Sequence, residues 1–393
     1  MANNRIYYAI QQVSFGKNSS GTGGTKVAAH GVQSCGITTT FNLEQVFELG
    51  QLAIYENVEG TPDIEVTMTK VLDGYIPLYC LATSDQTNGP QLAKRCDSNT
   101  KTIVQLGIWD EAVESAGQNS STAQAWVEMS GLYISSVAYN FPVDDNFTED
   151  ITLVGNTKIW GTGQSSSSLN CSASYYPSAT AGAFSANGDA PVGSGGVNRR
   201  QNMMFATGGD TTAALLRAQA TDSDLTVLPR EIQGMSNSGT KDFAHIQSIT
   251  ASVDVAREEL FELGAKIAYA RPVTFPIEVT CDIEVTASSG DLINAIDSCT
   301  GGDFCEEATN LSDNTIRVAS CEGTRLWLGN KNKLSSVSYG GGDAGGGNAT
   351  VTYSYSTFND FTVLHSGDTF ANGGSVSGAT WWTNRANYLN INK

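Results

Sequence analysis

Apolar and polar residues alternate along much of this chain. From Asp63 to Thr69, Ile64, Val66 and Met68 fall on one side of an extended backbone, and Asp63, Glu65, Thr67 and Thr69 on the other. The run from Ile277 to Val285 repeats the pattern. Ile277, Val279, Cys281, Ile283 and Val285 point one way, and Glu278, Thr280, Asp282 and Glu284 the other. Ile249–Val255 alternates as well. A period of two predicts strands with one wet face, because successive Cβ atoms alternate across a pleated backbone. Shorter β-prone runs at Ile6–Ile10, Ile103–Trp109, Ala125–Val127, Asp150–Val154 and Thr350–Tyr353 extend the prediction. Helical spacing is confined to Asp291–Ile296, with Ser289 or Asp291 as N-cap, and to Thr211–Ala220 behind Asp210. The predicted class is mainly β: antiparallel sandwich structure with a short flanking helix per unit, plus extended arms.

These elements occur twice. Val32-Gln33-Ser34 through Phe47-Glu48-Leu49-Gly50 returns as Ile246-Gln247-Ser248 through Phe261-Glu262-Leu263-Gly264, with Glu44 matched by Glu258 and Tyr55 by Tyr269. Ile64-Glu65-Val66-Thr67 is matched by Ile277-Glu278-Val279-Thr280, one residue out of step. Ser135-Ser136-Val137-Ala138-Tyr139 recurs as Ser335-Ser336-Val337-Ser338-Tyr339, with Trp126 and Trp327 ahead of them. Matches in one order over so long a span predict a tandem duplication, each copy with its own core, since the period is too long for a solenoid. The division expected is an N-terminal arm at 1–29, one copy at 30–160, a linker, inserted subdomain or second-copy arm at 161–244, the other copy at 245–366, and a tail at 367–393.

Charge sharpens this division. The chain of 393 residues carries a net charge of −18. Residues 30–160 hold 17 acids against 5 bases and residues 245–366 hold 16 against 7, while the rest is slightly basic. Acidic bodies argue against gripping nucleic acid, which requires Lys and Arg to neutralise phosphates. They suit a surface that DNA passes without sticking, and equally a surface that merely stays soluble. No apolar run is long enough to span a membrane, and Met1-Ala2-Asn3-Asn4-Arg5 leads into no signal-type hydrophobic stretch.

Candidate chemistry is sparse. Eight cysteines show no Cys-x-x-Cys spacing and only three histidines are present, so neither a metal nor a cofactor is expected. Cys35, Cys80 and Cys281 read as small core residues, whereas Cys299, Cys305 and Cys321 are close enough in sequence to bridge. Glu44 with Glu48, and Glu258 with Glu262, admit a glycosidase reading, but their place before a strand favours a turn or a subunit contact. With no catalytic constellation, a structural or interaction role is expected rather than an enzyme.

The Phe47-Glu48-Leu49-Gly50 segment, the alternating strand from Asp63 to Thr69 with its Leu72-Asp73-Gly74 turn, and their duplicates resemble the tail tube proteins of long-tailed bacteriophages. The resemblance covers 30–160 and 245–366. It implies a β-sandwich with a flanking helix, whose long strands join those of neighbours into a closed barrel around a channel. Two such units per chain imply three chains in a pseudo-hexameric ring. On this basis Asp63, Glu65, Thr67, Glu278, Thr280, Asp282 and Glu284 are expected to line an acidic lumen. Glu44, Phe47, Glu48 and Gly50, with Glu258, Phe261, Glu262 and Gly264, are expected at subunit contacts. The partners implied are further copies of the chain and other tail proteins such as sheath, terminator or baseplate components, with genomic DNA passing unbound. The location implied is the virion tail, assembled in the host cytoplasm. The competing readings are another virion component, a surface adhesin on duplicated β-sandwiches, and, more remotely, a glycan-degrading enzyme.

Overall fold

The computed structural model describes residues 6, 8, 11–17, 26–83, 101–109, 122–165, 196–203, 226–229, 231–232, 245–287, 290, 291, 293, 313–320, 324–342 and 347–365. In chain order the strands of the first half are β1 (Gln11–Lys17), β2 (Lys26–Ala28), β3 (Val32–Thr40), β4 (Leu43–Phe47), β5 (Ile54–Glu59) and β6 (Asp63–Val71). Helix α1 (Leu78–Ala82) and strands β7 (Thr102–Ile108), β8 (Thr122–Pro142), β9 (Thr148–Gly155) and β10 (Thr157–Ser165) complete it. The second half holds β11 (His245–Asp254), β12 (Glu278–Thr286), β13 (Arg317–Ala319), β14 (Thr324–Trp327), β15 (Lys333–Gly340), β16 (Thr350–Phe358) and β17 (Thr362–His365). The protein is mainly β and antiparallel, as the alternation predicts.

Eight strands lie side by side in the order β3-β6-β9-β8-β11-β12-β16-β15. The first four and the last four are paired alike: β3 matches β11, β6 matches β12, β9 matches β16, and the second part of β8 matches β15. Their irregularities coincide. An extra residue interrupts the ladder at Gln33 in β3 and at Gln247 in β11, and again at Ser135 in β8 and Ser335 in β15. A bulge bends its strand and pins its register, so shared bulges fix the correspondence residue by residue. A smaller trio repeats as well. β10-β8-β7 places Trp126 opposite Gly161 and Gly107, and β17-β14-β13 places Trp327 opposite Thr362 and Arg317.

β8 is 21 residues long because it serves both layers of the first half. Its early part pairs with β7 and β10 and its late part with β9 and β11. The turn from one layer to the other falls at Gly131, whose φ of 67° suits a residue without a Cβ. In the second half the same path is split between β14 and β15. Between the layers, Val66, Met68, Ile134, Val137 and Tyr139 share one buried cluster with Ile249, Ala251, Val279, Ile283 and Tyr353. Helix α1 closes this core. Pro77 supplies no side-chain cap, and the buried carboxylate of Glu149 instead accepts hydrogen bonds from the Leu78 and Tyr79 amides at 2.6 and 2.8 Å and from the Tyr139 hydroxyl at 2.7 Å. Burial pushes the Glu149 carboxyl upward, and these three donors oppose the shift.

Several expectations change. The halves share one sheet and one apolar cluster, because β8 pairs with β11 from Ser136–Asp254 to Pro142–Ser248. The pairing sets Ile64 against Thr39 and Val279 against Val253, so Ile64 corresponds to Val279 and not to Ile277. A slip of two residues leaves every side chain on its own face, so alternation alone cannot detect it. β1 begins at Gln11, pairs with β7 and buries Val13 and Phe15; most of the run expected as a strand at Ile6–Ile10 lies outside the described residues. Of the expected linker, β10 reaches Ser165, while Val227 bridges to Arg317 and Leu228 and Ile232 enter the core. Val227 thus stands to β13 as β1 stands to β7. Asp291 and Ile293 are not helical, although the Ile293 amide donates to the Asp291 carboxylate at 3.2 Å. Residues 294–296, the helix expected at Thr211–Ala220 and the tail at 367–393 lie outside the described residues.

Candidate assembly surfaces

Both lumen-candidate stripes lie on the same face of the eight-stranded sheet. On β6, Glu65 and Thr67 are exposed and Asp63 is half-buried. On β12, Glu278 and Asp282 are exposed while Thr280 and Glu284 are half-buried. Four strand steps separate β6 from β12, about 19 Å at the usual spacing of antiparallel neighbours. The strands between them add Thr152, Ser136, Ser252 and Thr250, with Asp150 and Asp254 contributing two more carboxylates. Local hydrogen bonds hold several of these side chains. Asp150 accepts from Thr69 at 2.6 Å and from Asn140 at 3.0 Å, Glu284 accepts from Ser248 at 3.3 Å, and Ser252 and Thr280 are 2.7 Å apart. Asp63 is the exception among the candidates. It sits at the margin of the face, paired with Arg271 at 3.0 Å and with Asn42 at 2.9 Å. Lys333, at the foot of β15, lies 4.0 Å from Asp313.

The second set of candidates forms two projecting hairpins. β4 pairs with β5, with Leu43 opposite Glu59 and Val46 opposite Glu56. In the second half Arg257 stands opposite Val273 and Leu260 opposite Ala270, the same register carried forward. The tips are also alike. The Gln51 amide donates to the Glu48 carbonyl at 3.2 Å and the Ala265 amide to the Glu262 carbonyl at 3.3 Å. Gly50 and Gly264 occupy the left-handed position of each turn, with φ of 94° and 91°. The Phe-Glu-Leu-Gly signature is therefore turn chemistry. Glu44 and Glu258 lie within the hairpin arms, and Glu48 and Glu262 open the turns.

These hairpins expose what a lone soluble domain would cover. Leu49 and Leu263 at the tips stand wholly in solvent, and Phe47 and Phe261 are 61 % and 52 % exposed. Ile54 and Tyr55 on one hairpin, with Ile267 and Tyr269 on the other, extend the apolar surface. Clustered exposed apolar groups mark a contact surface. The hairpins are tied to each other: the Thr61 hydroxyl donates to the Lys266 carbonyl at 2.6 Å, and Lys266 lies 3.5 Å from Glu59.

Sequence reasoning missed the fastening between the halves. Arg257, half-buried in the hairpin arm that follows β11, donates through Nε to the Ile134 carbonyl at 2.6 Å and through Nη1 to the Arg271 carbonyl at 2.9 Å. Its guanidinium lies 4.9 Å from the centre of the Tyr133 ring. Burial lowers its pKa to about 10. Arg271 in turn bridges Asp63 and Glu259. The first-half counterparts of these arginines are Leu43 and Asn57, and that departure from the repeat is the signal by which they were detectable.

Both ends of the eight-stranded sheet are open. β3 pairs only with β6 and β15 only with β16 among the described residues, and the outward residues of both are exposed. Of the cysteines, Cys80 and Cys281 are buried and Cys35 is half-buried. Cys299, Cys305 and Cys321 lie outside the described residues.

No protein-family model and no curated protein sequence matches the chain. Among solved structures, one similar chain comes from the sheath-tube complex of an extracellular contractile injection system (PVC) in its extended state. It shares 14 % identity at a TM-score of 0.29, covering 41 % of this chain and 94 % of its own. Others come from the six-fold symmetrised baseplate of the anti-feeding prophage (12 % identity, TM-score 0.30, 41 % and 98 % covered) and from its tube-terminating cap (14 %, 0.29, 42 % and 95 %). Likeness at this level carries no weight for what the chain does.

Proposed function

We propose that this chain is a structural tube protein of a phage-type tail, in which two copies of one fold per chain let three chains close a pseudo-hexameric ring. The supporting observation is the eight-stranded sheet: four strands, the same four again, and an edge at each end that is unpaired among the described residues. A sheet that repeats and stays open at both ends can join further copies head to tail, and closed rotation removes the edges that would otherwise aggregate. The polar face bearing Glu65, Asp150, Asp282 and Glu284 then lines the bore, where carboxylates repel phosphate and DNA slides without binding. The apolar hairpin tips at Leu49 and Leu263 face the next ring or a terminator, sheath or baseplate protein. The role is non-enzymatic, in a virion tail assembled in the host cytoplasm. Negative-stain microscopy of the purified full-length chain tests this. Three-chain rings or stacked tubes are expected, and a monomer at every concentration examined would refute it.

A further inference from the structure

The internal seam between the halves supplies a template for the seam between chains. β8 and β11 pair with Ala138 opposite Ser252 and Tyr139 opposite Ala251. The Val255 amide donates to the Ser135 carbonyl and the Val143 amide to the Gln247 carbonyl, so hydrogen-bonded positions alternate from these and Ala138–Ser252 is a non-hydrogen-bonded pair. β15 is the counterpart of the late part of β8 and β3 the counterpart of β11, bulge for bulge. Among the described residues, those two strands form the open edges.

Resting on the ring reading above, we infer that β15 of one copy adds antiparallel to β3 of the next in one register, with Ser338 opposite Thr38, Tyr339 opposite Ile37 and Ser336 opposite Thr40. The occupant of each edge is therefore a second copy of this chain. Local chemistry fits. Tyr139 is fully buried beside the internal seam, whereas Tyr339 is 51 % exposed on its open edge and Ile37 is half-buried on the other. The register brings these two side chains together on the core side. Ser336, Ser338, Thr38 and Thr40 continue the small polar face across the junction. The fastening differs. Where the internal seam has Arg257 against Tyr133, the seam between chains has Leu43 and Lys333, so it lacks that guanidinium and is the weaker of the two.

Site-directed disulfides test the register, since a non-hydrogen-bonded cross-strand pair holds its Cα atoms within bridging distance. Full-length chains carrying Thr38→Cys are mixed with chains carrying Ser338→Cys, oxidised, and resolved without reductant, with each single variant as background for the native thiols. Cross-linked dimer is expected at about tenfold the yield of the slipped pair Thr38→Cys with Ser336→Cys. Burial raises the Cys35 thiol to about 11, which keeps it a poor competitor at the pH of oxidation. The double variant, Thr38→Cys with Ser338→Cys in one chain, should give a ladder ending at three. Oligomers without this cross-link, or equal yield from the slipped pair, overturn the register alone. A wild-type chain that sediments as a monomer overturns the register and the ring together.

Discussion

Replacing Arg257 with Leu would give the internal seam the residue its counterpart position already carries, Leu43. The change removes two hydrogen bonds from a charged donor, at 2.6 and 2.9 Å, and a guanidinium-ring contact at 4.9 Å. Hydrogen bonds to charged groups are each worth roughly 1.5–3 kcal/mol, and a partly desolvated cation over a ring about 1 kcal/mol. The desolvation that lowers the arginine pKa opposes these gains, leaving a net loss of about 2 kcal/mol at the seam. Since 1.4 kcal/mol is a factor of ten, local opening of β11 against β8 should become about thirtyfold more frequent. Amide hydrogen exchange reads this directly. Val253 and Val255 should lose about thirtyfold protection, while Val66 and Met68 in β6 keep theirs. A cycle with Tyr133→Leu should return a coupling of about 0.5–1 kcal/mol from the ring contact. Unchanged exchange at β11 would refute the claim that this arginine fastens the halves.

Three other outcomes follow from the same geometry. Replacing both tip leucines, Leu49→Ser with Leu263→Ser, should leave melting within about 0.5 kcal/mol of wild type because both are fully exposed, yet shorten or abolish tubes in micrographs while rings persist. Changing Glu65, Glu278, Asp282 and Glu284 together to Lys should leave ring formation intact but make the assembly retain DNA in a salt-dependent way in a gel-shift assay; DNA retention equal to wild type would speak against their lining the bore. Burial holds His365 near pKa 3 and, with repulsion from Lys70 adding to burial, His30 near 4, both below the ordinary 6.5. The unfolded chain then binds more protons at acid pH, so the stability contributed by these neutral imidazoles is complete above pH 6.5 and lost as pH falls towards 4. Chemical denaturation at stepped pH should show a decline of about 1.4 kcal/mol per pH unit for each histidine well below 6.5, and His365→Gln should flatten it.

The parts legible in the sequence were those in which local chemistry and period agree. Ile64, Val66 and Met68, and Val279, Cys281 and Ile283, alternate with carboxylates and hydroxyls, and their burial follows the alternation. Phe47-Glu48-Leu49-Gly50 was legible because a left-handed glycine enforces the turn wherever the segment lies. The correspondence of Ile64 with Val279 was not, since a slip of two leaves the pattern unchanged and only hydrogen bonding to β3 and β11 decides it. β1 was not legible at Gln11–Lys17, where the β-prone residues are few, because pairing with β7 is what selects Val13 and Phe15 for burial. Glu149 gave no sign of its role, because a carboxylate at an inward position of a strand reads as a break in the pattern until the bare amides of α1 are placed beside it.

The bend at Gly131 has a mechanical corollary. One unbroken strand runs through two layers in the first half, so a pull on either layer is handed to the other through a single hydrogen-bonded element. Separating them means stripping ladders from both flanks of a single strand at once. In the second half the covalent path continues through residues 328–332, but the strand itself is interrupted between Trp327 and Lys333. Under axial tension the second half should therefore yield first, leaving the earlier half as the stiffer link in every chain.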